Sequence, residues 1–170
     1  MIKLLDILKE AKQVGTLYHS TSGANLISIL KSNTLRVNQS PTFGISLLNQ
    51  ISFTRDKNYR PGEYTIEIDG NKLSSKYKLE PFQHYRKGEA EEVTKQDIVN
   101  VSNYINAISA NVEAVEQESY KEFERVLKLY PSLSFTVGGK VLIGDTIERS
   151  SPVREIPKQE AMTYIKYNKY

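Results

Sequence analysis

The sequence predicts a single α+β domain, and three observations carry that prediction. Segments of strict apolar–polar alternation, Ile51 to Arg55 and Tyr64 to Ile68, stand beside segments of helical periodicity such as Ala24 to Asn33. The two kinds do not follow one another in the regular βαβ rhythm of a doubly wound sheet. The chain, at 170 residues with 39% apolar and 25% charged side chains, is long enough to bury a core as one unit spanning residues 1–170.

Taken in order, Met1 to Gln13 sets Ile2, Leu4, Leu5, Ile7 and Leu8 among charged residues, the pattern of an amphipathic helix. It lacks the apolar centre and small-residue cleavage site of a secretory signal, so the cytoplasm is the expected address. Gly15 breaks the helix, and Thr16 to His19 suits a short strand. Ser20 to Gly23 is a turn able to cap a helix running from Ala24 to about Asn33. Leu35 and Val37 suggest extended chain, Gln39 to Gln50 a loop, and Ile51 to Arg55 a half-buried strand. Tyr64 to Ile68 is another strand, with Asp69-Gly70 offering a turn. Tyr77 to Pro81 suits extended chain, and the spacing of Ile98, Val101, Ile105 and Ile108 predicts a helix. A further helix is expected over Val112 to Leu129, stopped by Pro131. Leu133 to Val137 and Val141 to Ile143 suit a hairpin turning at Gly138-Gly139. Ala161 to Tyr167 fits helix or strand equally well.

Several function classes fall away on composition. A net charge of +3, with acidic and basic residues interspersed, does not imply a nucleic-acid coat. No apolar run approaches the roughly 20 residues that span a bilayer, so no membrane partner is expected. With no cysteine there is no disulfide, thiolate nucleophile or Cys-ligated metal. The two histidines, His19 and His84, form no ligand pair, and no metal site is expected. Neither G-x-G-x-x-G nor G-x-x-x-x-G-K-[ST] occurs, so any nucleotide is held by another device.

Three segments carry candidate chemistry. Tyr18-His19-Ser20-Thr21, at a strand end before the helix of Asn25-Leu26-Ile27-Ser28-Ile29-Leu30, offers an imidazole to donate to a ribose hydroxyl and hydroxyls for a second polar group. The plainer alternative is a turn histidine beside capping residues. Ser52-Phe53-Thr54-Arg55-Asp56 offers small hydroxyls and a guanidinium able to grip a phosphate bidentately, or else an ordinary strand ending in an ion pair. Gly88-Glu89-Ala90-Glu91-Glu92-Val93 is either a solvated acidic loop or a source of a carboxylate that stabilises an oxocarbenium-like sugar. A neighbouring carboxylate there would orient or deprotonate an acceptor.

In order and rough spacing, these three segments resemble the ADP-ribosyltransferase superfamily over residues 15 to 100. Leu17 to Thr21 with Asn25 to Leu30 looks like the opening of its H-Y-E-type and DNA-modifying toxin branch, and Ser52 to Arg55 like the central strand. Glu89-Ala90-Glu91 is similar to the acidic motif and to the E-x-E of arginine-modifying members. The resemblance implies a split β-sheet core with flanking helices, and mono-ADP-ribosyl transfer from NAD, used as co-substrate, to a macromolecular acceptor, protein or nucleic acid. It implies that His19 and Thr21 hold the nicotinamide ribose and amide end, with Ser20, Asn25, Ser52 and Thr54 also on the cofactor. Arg55 would contact phosphate or assist the acceptor. Glu91 would be the catalytic carboxylate, with Glu92 next in line and Glu89 as helper. Tyr59 and Tyr64 are the candidates for a ring-stacking tyrosine. The compact size and opening style are compatible with a phage or bacterial toxin-like system.

Rival readings remain open. A two-histidine phosphoesterase needs a second H-x-[ST], which His84-Tyr85-Arg86 fails to supply. An RNA 2'-phosphotransferase-like enzyme would want more basic residues. A catalytically inactive binding or structural module would make the acidic run and His19 surface features.

Overall fold

The computed structural model describes residues 14–37, 49–58, 62–81, 92–115, 120–143 and 146–167, with backbone alone for 140–143 and 146–150. The expected N-terminal helix, the loop after Val37, Tyr59, His84, Glu89 and Glu91 lie outside these residues.

The described chain is α+β. Its main sheet has five strands in the order β1-β4-β8-β9-β10: β1 Thr16–Thr21, β4 Tyr64–Asp69, β8 Ile105–Asn111, β9 Ser134–Ile143 and β10 Thr146–Glu155. Neighbours run antiparallel except β8 and β9, which are parallel. A second sheet joins β3 (Ile51–Phe53), β6 (Glu92–Thr94) and β5 (Glu80–Pro81), and a two-stranded ribbon pairs β2 (Thr34–Leu35) with β7 (Ile98–Val99). The helices are α1 Gly23–Ser32, α2 Gly70–Ser74, α3 Tyr120–Leu129 and α4 Lys158–Tyr167.

Alternation along the strands gives the main sheet two unlike faces. One face is apolar: Leu17, Ile66, Ile68, Ile108 and Ala110 lie in register on it and are buried. Phe135 of β9 continues that face, and Phe123 of α3 packs on it with ring centroids 6.1 Å apart. Helix α1 packs against α3 and brings Leu26 and Ile29 to the same core. Each such fully buried side chain contributes about 1.5–3 kcal/mol. The opposite face carries Tyr18, Ser20, Thr65, Glu67, Ser109, Ser134 and Thr136.

Helix α1 begins and ends as its sequence predicts. Ser22 caps it, its Oγ accepting from the Asn25 backbone N–H at 3.4 Å, and Glu63 accepts from Gly23 N–H at 2.8 Å. Asn33 ends it in the left-handed region at φ 50°, the conformation asparagine tolerates best after glycine.

Four expectations are corrected. Residues 98–108 are not a helix: β7, a 3-10 turn at Val101–Asn103 and β8 occupy them, broken by Asn100 at φ 53°. Strand β8 alternates from Ile108 to Asn111, but its pairing with β4 is irregular between Ile105 and Ala107, which leaves Ile105 and Ile108 three residues apart and imitates helical spacing. Helix α3 is described over Tyr120–Leu129 and does not reach back to Val112; Val112 to Ala114 is a turn in which Asn111 Oδ1 accepts from Glu113 N–H at 3.2 Å. Asp69-Gly70 is a helix start, with the Asp69 side chain capping α2, rather than a simple turn.

Fourth, Gly138-Gly139 does not turn a hairpin; β9 runs straight through it, and its partner is β10. The glycines serve a bulged, close pairing. Gly138 sits at φ 82°, and a Cβ there would stand 2.6 Å from the Pro152 carbonyl oxygen and 2.8 Å from Ser151 Oγ. The register shifts between Ser151 and Arg154, which accommodates Pro152 on the outermost strand of the sheet. Ala161 to Tyr167 is helical, the greater part of α4.

Candidate functional site

Strand β1 is the outer strand of the main sheet, and the second sheet is tied to its free edge. Tyr18 and Thr54 exchange backbone hydrogen bonds, Tyr18 N–H to Thr54 O at 2.8 Å and Thr54 N–H to Tyr18 O at 3.0 Å. The residue after Tyr18 is His19 and the residue after Thr54 is Arg55, so this seam draws two of the predicted segments together.

His19 points to the face shared by Leu17 and Thr21, opposite to Tyr18 and Ser20. Its Nδ1 lies 3.0 Å from the Ser52 carbonyl oxygen. A carbonyl only accepts, so Nδ1 carries the proton and donates. Burial pushes the imidazole below its ordinary 6.5, opposed by the Ser52 hydrogen bond, so the ring is neutral at pH 7. The other nitrogen, Nε2, is therefore an acceptor. In that state the free nitrogen offers an acceptor, where the sequence reading expected a donor.

Phe53 is the side chain around which the seam is built. Its ring centroid lies 5.9 Å from that of His19, and it is almost wholly buried. In the pairing of β3 with β6, Phe53 stands opposite Glu92. Directly opposed residues project to one face of a sheet, so Phe53 and Glu92 share a face. Arg55, two residues beyond Phe53, makes an ion pair with Glu92. Glu92 is buried while Arg55 keeps about a quarter of its side-chain surface. Glu92 Oε1 takes the guanidinium, and Oε2 is buried with no hydrogen-bond partner among the described residues.

The structure thus brings together His19, Ser52, Thr54, Arg55 and Glu92. Thr54 is buried, and its Oγ1 accepts from Asp56 N–H at 3.1 Å, closing the turn that carries Arg55. Asn58 extends that anchorage, its Oδ1 accepting from Val153 N–H at 3.3 Å on β10. Thr21 is buried on the His19 side of β1, opposite Tyr64. Ser20 faces the other way, opposite Thr65. Asn25 is exposed in the first turn of α1, its backbone N–H taken by the Ser22 cap. Tyr64 is fully buried, and burial together with the Glu63 and Glu122 charges pushes its phenol upward. A ring enclosed in the core is not available to stack on a ligand.

Two participants were missed from sequence. The Ser52 carbonyl, as a backbone atom, leaves no side-chain signal, and Phe53 looked like any apolar strand residue. Among the described residues no group of three or more His, Cys, Asp or Glu is placed to hold a metal ion, and no helix is long and apolar enough to cross a membrane. In comparison with known proteins, no protein-family model matches this chain, and no curated protein matches it significantly.

Proposed function

We propose that this chain transfers ADP-ribose from NAD to a macromolecular acceptor, releasing nicotinamide, with the β1–β3–β6 seam as its active site and the main and second sheets as the two halves of an ADP-ribosyltransferase-like split core. The observation that carries the reading is the grouping around Phe53 of a neutral, oriented imidazole and a buried carboxylate with an open oxygen.

The chemistry follows from those groups. The bond from ribose C1' to the nicotinamide nitrogen breaks, and its electron pair leaves with nicotinamide, which becomes neutral. The positive charge left on the sugar is stabilised by a nearby carboxylate in a site poor in water. Glu92 Oε2 supplies that charge and accepts from the ribose 2'-hydroxyl. His19 Nε2 accepts from a second ribose hydroxyl, its ring orientation set by the Ser52 carbonyl. Arg55 acts as a positioning residue that holds Oε1 and turns Oε2 toward the site, rather than as a phosphate clamp. The acceptor nucleophile then bonds to C1' and gives its proton to a carboxylate, for which Glu91 and Glu89 are the candidates by sequence proximity.

The closed Arg55–Glu92 pair also fits a second reading, a catalytically silent module in which the pair only joins strand to turn. One experiment separates the two. A cell lysate is incubated with the protein and NAD isotopically labelled in the adenosine ribose. Transfer predicts labelled ADP-ribose on an acceptor by mass spectrometry, with nicotinamide released, and loss of both in a folded Glu92→Gln protein. Unmodified lysate with intact NAD, at any enzyme concentration tested, favours the module.

A further inference from the structure

The second face of the main sheet holds a feature that the seam does not use. A small cavity of about 60 Å³ lies there, lined in part by Tyr18, Thr65, Glu67, Ser109, Thr136 and Glu155. A space of that size accepts a compact polar group in place of a few waters. Its lining comes from all five strands of the main sheet and is set by register: Thr65 stands opposite Ser109, Ser109 beside Ser134, and Thr136 opposite Glu155.

Two observations give it a chemical preference. First, its only charged lining groups are the carboxylates of Glu67 and Glu155, with no basic side chain among the described residues that line it. Second, Thr65 is 3% exposed, lines the cavity, and has an Oγ1 with no hydrogen-bond partner among the described residues; its register neighbour Ser20 has an Oγ in the same condition. Buried hydroxyls are almost always satisfied, and one left open costs about 1–3 kcal/mol. Open acceptors beside carboxylates that have no ion-pair partner among the described residues call for a ligand that brings N–H donors and positive charge.

We infer that this cavity is a binding site for a compact organic cation, a guanidinium or ammonium group. The ligand donates to the carboxylates of Glu67 and Glu155 and to the Thr65 hydroxyl, with the Tyr18 ring beside it. Two sources present this chemistry, a free small molecule and the side chain of arginine or lysine in another protein. The site stands apart from the transferase reading, because it lies on the opposite face of β1 from His19.

The test uses the full chain, isotopically labelled for NMR and free of NAD. Methylguanidinium is titrated as the free cation, a Gly-Arg-Gly peptide as the chain-borne one, and ribose as a neutral polar control. Saturable shifts at the amides of Thr65, Glu67, Ser109 and Thr136 with either cation, and none with ribose, are expected; the stronger of the two cations identifies the source. Glu67→Gln is expected to weaken binding about tenfold, the loss associated with one charge-assisted hydrogen bond. Thr65→Val, which removes only an open hydroxyl, folds and also binds more weakly. Unmoved amides, equal binding by ribose, or undiminished affinity in Thr65→Val overturns the site.

Discussion

The two sides of strand β1 solve the problem of buried polar groups in opposite ways. On the seam side, His19 donates to the Ser52 carbonyl and one oxygen of Glu92 is held by Arg55, so the imidazole and the carboxylate are each fixed in direction while Glu92 Oε2 is left open. On the other side, Ser20 and Thr65 present hydroxyls with no partner among the described residues, next to two carboxylates. A paired arrangement is pre-organised and costs little further ordering when a substrate arrives. An open one stores an unmet demand that a ligand can satisfy. Buried polarity is therefore informative in both forms, and the state of the partners distinguishes a site built to react from one built to receive.

The comparison can be broken first at Glu92. If its open oxygen stabilises the transferring sugar, Glu92→Gln lowers the rate of nicotinamide release by about 100- to 1000-fold, the usual range for one such group. A rate within a few-fold of wild type, read by chromatography on folded protein, removes the carboxylate from the chemistry.

Next comes the pairing itself. Arg55→Met leaves the Glu92 charge buried alone and should cost about 2 kcal/mol in urea unfolding, below the range for fully buried pairs because Arg55 is partly exposed. Arg55→Met combined with Glu92→Leu should recover much of that loss. A double variant no more stable than the single one would show that the pair does not carry the effect.

The pH dependence sharpens the seam further. The His19 ring is held neutral in the fold, with its pKa below the ordinary 6.5 that it recovers on unfolding. Between those two values the unfolded chain binds more protons, so stability rises with pH. The contribution is fully present above 6.5 and is lost as pH falls toward the folded value. His19→Asn, which keeps a donor for the Ser52 carbonyl, should flatten the acid limb of the stability curve. An unchanged limb would assign it to another group.

The smallest effect belongs to the open side. Thr65→Val removes a hydroxyl that has no partner among the described residues and should raise stability by up to about 1 kcal/mol. A loss of more than that would mean the hydroxyl is satisfied, and the contrast between the two sides of β1 would fail.

Much of this was legible in the sequence where local chemistry decides structure. Strand β1, helix α1 and strand β4 follow from alternation, a serine cap and an asparagine terminus. The seam's charged members were named from the sequence, but a turn histidine, an ion pair ending a strand and an acidic loop explained them equally well until the fold brought them together. What escaped was whatever depends on distant partners. Strand β8 imitated a helix because its irregular pairing with β4 sets Ile105 and Ile108 three residues apart, and Gly138-Gly139 looked like a turn because its true reason is the approach of Pro152 and Ser151. Phe53 and the Ser52 carbonyl gained their roles only when β1 met β3. The hydroxyl face had a faint signal, since Thr65, Ser134 and Thr136 alternate with apolar residues, but alternation alone also describes a solvated face.

The claim at the centre is that NAD is held where β1, β3 and β6 meet. An NMR titration of the labelled chain with NAD tests it most directly. The account predicts shifts concentrated at His19, Ser52 to Arg55 and Glu92, and abolished by His19→Ala. Shifts gathered elsewhere on the molecule, or none at saturating NAD, would contradict it.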